Sequence, residues 1–202
     1  MKYCAILALI LMALAAPGIG KVVKDQDGRC GMYPAAVYEL TYSAWADCRL
    51  RGVGEKPLWG GVTNPRYHQQ ARFTFNDGHM RYTKVINFVE LSNGTGLIEL
   101  KTVVPDDGQL DVRDRRRVKL SAQDVLRFNE LARASDAWKF ETGSWDGAEM
   151  YLHCEVLEME RADTSGYRYS SVNISCNRPR KLEPLLDFVT GLVGLKMDRA
   201  AY

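Results

Sequence analysis

The chain has 202 residues, 46% of them hydrophobic and 26% charged, with a formal net charge of +2. Those proportions are ordinary for a globular protein, and no basic or acidic excess points to a nucleic-acid partner. With no internal repeat and no low-complexity tract, the composition describes one folded domain.

Residues 1–20 have the layout of a secretory signal peptide: Lys2 supplies a positive start, an apolar run covers 5–16, and Ala13 and Ala15 are the small residues a signal peptidase reads. The run is shorter than the roughly 20 apolar residues a membrane span needs. The expected division is a signal over 1–20 and an exported domain over 21–202, large enough to bury about 70% of its unfolded surface. No transmembrane span is expected in the mature chain, and export to the periplasm or beyond is.

Of five cysteines, Cys4 would leave with the signal. Cys30, Cys48, Cys154 and Cys176 remain in an oxidising compartment, where two disulfides are the natural outcome.

After a polar lead-in over 21–34, the composition of 37–51 (Val37, Tyr38, Leu40, Tyr42 and Trp45) predicts a strand. Residues 52–64, rich in glycine, predict a long surface loop that exposes Trp59. Ala71, Phe73 and Phe75 alternate before Asp77-Gly78, which predicts a two-residue hairpin turn pairing Phe75 with Met80 and Phe73 with Tyr82. Asn93-Gly94 and Pro105-Asp106-Asp107-Gly108 punctuate two further strands, over 97–104 and 110–120. Ser121 with Asp124 is a capping-box signature, and Val125, Phe128, Leu131, Ala132 and Ser135 then follow at helical spacing. Residues 150–162 and 167–176 predict a hairpin centred near 165. That register sets Cys154 opposite Cys176, Val156 opposite Ile174 and Glu158 opposite Val172, with Leu152, Cys154, Val156, Val172 and Ile174 sharing a core face. It selects Cys154–Cys176 among the possible pairings and leaves Cys30–Cys48. A last helix carries Leu182, Leu185, Leu186, Val189, Leu192 and Val193, with Pro184 in its first turn and Gly194 as terminator. The fold class expected is α+β: a curved antiparallel sheet, two helices packed on one face, and two disulfides.

Residues 120–195 resemble a recurrent group of small, uncharacterised bacterial proteins, many of them exported. The elements that carry the resemblance are the capped helix over 121–140, Trp145-Asp146-Gly147-Ala148, Gly166-Tyr167-Arg168-Tyr169, Pro179 and the Leu-rich helix over 182–195. Val37-Tyr38-Glu39-Leu40 matches the group's opening strand more weakly. The resemblance implies a fold and no established activity, and Cys154 and Cys176 depart from the group's pattern.

No motif names a reaction. Asp146, Glu149 and Glu155 are close in sequence, but Glu149 and Glu155 on a straight strand stand about 20 Å apart, beyond the roughly 5–10 Å of paired catalytic carboxylates. His68, His79 and His153 show no metal-ligand spacing, and no cofactor or metal is expected. The densest charge cluster is 113–119. On a strand, Arg113, Arg115, Arg117 and Lys119 share one face at spacings of about 7 Å, which suits an anionic polymer, a headgroup or an acidic partner. The same residues would also serve as a charged edge that resists strand pairing. The sequence therefore favours an exported binding or structural module for an anionic envelope polymer or a protein partner. The competing class is a small envelope hydrolase using an acid from 146–155.

Overall fold

The computed structural model describes residues 29–40, 46–79, 81–106, 109–139, 154–175 and 179–196. Two short helices, α1 (Ala35–Leu40) and α2 (Asp47–Gly52), precede four strands: β1 (Tyr67–Asn76), β2 (Thr83–Leu91), β3 (Gly96–Asp106) and β4 (Gln109–Leu120). Helix α3 (Ala122–Ala134) leads to a hairpin of β5 (Val156–Asp163) and β6 (Gly166–Asn173), and a 3-10 turn at Arg180–Leu182 opens α4 (Glu183–Leu192). The strands form one sheet in the order β4-β3-β2-β1-β5-β6, antiparallel throughout. The chain is α+β with an antiparallel sheet. Among the described residues no helix is long and apolar enough to cross a membrane.

The alternation in β1 through β3 sends Ala71, Phe73, Phe75, Ile86, Phe88, Ile98 and Leu100 to one face. There they form a buried cluster with Val125, Phe128 and Leu131 of α3 and with Leu185, Leu186 and Val189 of α4. Phe128 stacks on Phe88 at 3.7 Å between centroids and meets Phe73 edge-on at 6.2 Å. Full burial of a side chain this size contributes roughly 1.5–3 kcal/mol. Local signals set the helix ends. The Ser121 hydroxyl accepts from the Asp124 N–H at 3.2 Å, and the Asp124 carboxylate accepts from the Ser121 N–H at 2.9 Å. At the end of α4, Gly194 adopts φ 64°. Leu195 N–H donates to Thr190 C=O at 2.9 Å and Gly194 N–H to Gly191 C=O at 3.1 Å, the two bonds of a Schellman motif.

Three expectations are corrected. In place of the strand expected over 37–51, its described residues form α1 and α2, with 41–45 outside the described residues. The Asp47 carboxylate accepts the backbone N–H of Cys30 and, at 2.7 Å, that of Met32. Met32, Tyr33, Val37, Ala46 and Leu50 then pack with Val85 on the second face of the sheet, and this burial outweighs strand propensity. The β1–β2 turn is wider than two residues, with Asn76 opposite Thr83, Phe75 opposite Lys84 and Phe73 opposite Ile86. Asp77 spans it by accepting from Arg81 N–H at 3.1 Å and Nε–H at 2.8 Å. In the β5–β6 hairpin the register is one residue away from the one expected: Val156 lies opposite Asn173 and Leu157 opposite Val172. Because side chains alternate, that single step puts Leu157 and Met159 on the helix side and turns Glu158 and Glu160 to the other.

Cys30 and Cys48 are disulfide-bonded, with Cα atoms 5.0 Å apart. Cys154 is buried, and Cys176 lies outside the described residues, so one disulfide is complete among them.

Candidate functional site

The second face of the sheet carries a row of polar residues set by register. Arg117 on β4 lies opposite Glu99 on β3, Glu99 opposite Asn87 on β2, and Asn87 opposite Arg72 on β1. Arg72 in turn lies opposite Glu160 on β5, and Glu160 opposite Tyr169 on β6. The row crosses all six strands. Its β1–β5 part is sealed beneath Met32, Tyr33, Leu50 and the Lys56 backbone, while its β3–β4 part opens to solvent.

In the sealed part, Arg72, Glu158 and Glu160 have no exposed surface. Arg72 Nε lies 2.7 Å from Glu160 Oε2, out of line for a hydrogen bond, so the contact is an ion pair. Its Nη2 donates to the Lys56 carbonyl at 3.0 Å, and Nη1 stands 4.0 Å from Glu55. Tyr167 donates to Glu160 at 3.0 Å. Glu158 accepts from Tyr33 and Asn76 at 3.0 Å and from Tyr169 at 3.1 Å. Burial pushes the Glu158 carboxyl up to about 8, with the Tyr33, Tyr169 and Asn76 donors opposing and the neighbouring Glu160 reinforcing. Burial also raises Glu160, against the pull of Arg72. Burial works against the Arg72 cation, and Glu160, Tyr33 and Glu55 outweigh it, so the guanidinium is held above its ordinary value.

In the open part, a groove of about 800 Å³ runs between the 51–64 segment and strands β1 to β4. Glu55, Leu58, Tyr67, Gln70, Asn87 and Arg117 are among its lining residues. Glu55 accepts from Asn87 at 3.0 Å and pairs with Lys101. Glu99 takes Arg115 Nε at 2.8 Å and Arg117 Nη2 at 3.0 Å. Burial would raise the Glu99 carboxyl, but Arg115, Lys101 and Arg117 together hold it below its ordinary value.

The residues named from sequence divide accordingly. Arg115 and Arg117 meet at Glu99, and Arg117 is the member of the cationic strand that lines the groove with the 52–64 loop. Arg113 is exposed and lies 3.5 Å from Asp111; Lys119 is exposed opposite Leu97. Arg116, on the other face, donates to the Val193 and Gly194 carbonyls at 3.1 and 3.0 Å. Trp59 is 47% exposed, as expected, with its indole N–H on the Gly31 carbonyl at 3.3 Å. His68 and His79 are exposed. Asp146, Glu149 and His153 lie outside the described residues.

Sequence reasoning missed the Arg72, Glu158, Glu160 and Tyr33 network. Arg72 between Ala71 and Phe73, and Glu158 between Leu157 and Met159, carry the ordinary mark of a strand with one wet face. No local signal separates them from such a face, since their burial comes from distant residues such as Tyr33 and Lys56.

No family model matches the chain, and no curated protein matches it. Among solved structures it is similar to a candidate adenylate cyclase from Bacillus halodurans at 8% identity, over 85% of this chain and 90% of that one, with a TM-score of 0.19. A superposition at that level carries no argument about fold or activity.

Proposed function

We propose that the chain is an exported binding module whose ligand surface is the groove between the 52–64 loop and β1 to β4, with Arg117 taking an acidic group of an envelope polymer or protein partner. The observation that carries this reading is the convergence of the loop and Arg117 of the cationic strand on one groove. Export rests on the signal-like residues 1–20, and the Cys30–Cys48 disulfide favours an oxidising compartment. Cys154–Cys176 completes the pair of disulfides in this reading.

Binding is favoured over hydrolysis by the state of the carboxylates among the described residues. A general acid needs a raised pKa and access to substrate. In the groove, Glu99 is held ionised by its cations. Among the described residues the carboxyls that are raised, Glu158 and Glu160, have no exposed surface.

The test is retention of the purified protein on envelope fractions of its host at low salt. Arg117→Ser should weaken retention several-fold, and Arg113→Ser, away from the groove, should do so less. Equal retention of the wild type, Arg117→Ser and the Arg113→Ser/Arg115→Ser/Arg117→Ser triple variant would overturn the assignment of this surface.

A further inference from the structure

On the helix-covered side, a second pocket of about 290 Å³ lies where the end of α3 meets β1, β5 and β6. Phe128, Ala132 and the Trp138 ring supply its apolar lining, and Trp138 packs on Phe73 at 5.9 Å. Four cations, Arg133, Lys139, Arg161 and Arg168, line it against a single carboxylate, Asp136. That carboxylate is already engaged by Lys139 at 3.1 Å and Lys181 at 3.6 Å.

Three polar atoms of the lining are buried without a hydrogen-bond partner among the described residues: Trp138 Nε1, Arg161 Nε and Gln69 Oε1. Gln69 is 2% exposed. Its Nε2 donates to Glu90 at 2.6 Å and to Asn129 at 2.5 Å, which identifies Oε1 as the atom left over. Arg161 spends Nη2 on Asp163 at 2.8 Å and keeps Nε. Buried donors without acceptors cost free energy, and native proteins keep few of them unless something fills the gap. Two idle N–H donors among cations, beside an apolar wall and one idle acceptor, describe a site of definite chemistry.

We propose that this pocket binds a small organic anion. A carboxylate or phosphate oxygen accepts from the Trp138 indole N–H and the Arg161 Nε–H. The ring or chain it carries lies on Phe128 and Ala132, and an N–H or O–H of the ligand meets Gln69 Oε1. The site is separate from the groove on the opposite face and does not depend on it.

The test titrates the folded protein with benzoate, phenyl phosphate and neutral benzamide, following calorimetry and the indole N–H resonances, with Trp138→Phe assigning the one from Trp138. Saturable binding of benzoate or phenyl phosphate that shifts the Trp138 resonance is expected, and the stronger of the two tells carboxylate from phosphate. Trp138→Phe and Arg161→Gln should each weaken that binding about tenfold, while Arg117→Ser in the groove leaves it unchanged. Should Arg161→Gln fail to fold, the exposed Arg168→Gln supplies the same readout with a smaller loss. Benzamide binding as well as benzoate, unaltered affinity in Trp138→Phe, or no shift at the highest soluble concentration would overturn the proposal. The last result would mean that water alone fills the pocket.

Discussion

Arg72 on β1 and Glu160 on β5 stand 2.7 Å apart with neither side chain in contact with solvent. Desolvating two charges costs about as much as their attraction returns, so the pair is weak support for stability as a unit, yet breaking one side of it is severe. Arg72→Met leaves Glu160 buried without its cation and should cost roughly 3–5 kcal/mol in urea denaturation. The double variant Arg72→Met/Glu160→Leu should recover much of that loss. A single variant no less stable than the double would contradict the account.

Glu158 makes stability depend on pH in a defined direction. Its carboxyl titrates at about 8 in the folded chain against 4.5 for an ordinary glutamate, so the folded state favours the protonated form. The contribution is complete below 4.5 and is lost as pH rises toward about 8. Glu160 is raised too and acts in the same sense. Asp77, Asp124 and Asp163 are lowered from 3.8, so their opposite effect falls below that pH. The melting temperature should therefore fall between pH 5 and 8, and Glu158→Gln should flatten the fall. An unchanged slope in the variant would locate the dependence elsewhere.

The Cys30–Cys48 bridge spans 18 residues that contain α1. Replacing both cysteines by serine should cost about 3 kcal/mol, chiefly by freeing the unfolded chain. Since the loop covers the sealed half of the polar row, amide exchange should rise first at Met32 and Tyr33. Non-reducing mass spectrometry of the exported protein should show the mass lowered by the signal and by four hydrogens, the mark of a second bridge between Cys154 and Cys176; free thiols at those two positions would remove it.

Two glycines should respond oppositely to alanine. At Gly96 a Cβ would sit 2.8 Å from the Val89 carbonyl oxygen and 3.0 Å from Val125 Cγ2, and the backbone atom cannot move aside. Gly96→Ala should cost about 1–3 kcal/mol. Gly191, inside α4, has nothing within 4 Å of its Cβ position, and Gly191→Ala should add about 0.5–1 kcal/mol. Thermal unfolding of both variants checks the contrast.

The elements legible in the sequence were those with local causes. Ser121 and Asp124 announced α3, Pro184 and Gly194 bracketed α4, and the glycine-rich loop exposed Trp59. Where the outcome depended on distant partners, reading along the chain failed. The 37–51 segment has strand-forming side chains, but its described parts lie in α1 and α2, where the Asp47 bonds to Cys30 and Met32 and the packing on Val85 hold them. The β5–β6 register turned on one residue in the bend, where Asp163 accepts from Ser165 N–H at 2.7 Å. The groove was half visible: Arg117 stood out within 113–119, but its link to Glu55 through Glu99 and Lys101 is a product of the sheet.

Strand β4 also decides how the molecule meets copies of itself. It is the outermost strand of the sheet and 12 residues long, so its free edge could seed further strands. A second molecule adding antiparallel along that edge with Arg115 at the two-fold axis would bring Arg115 against its own counterpart and Arg113 against the Arg117 of the other copy, about 5 Å apart. Glu99 is already shared between Arg115 and Arg117, which leaves it little capacity to offset the approaching charge. Like-charge repulsion along β4 thus opposes growth of the sheet from molecule to molecule at that edge, and Arg117 takes part both there and in the groove.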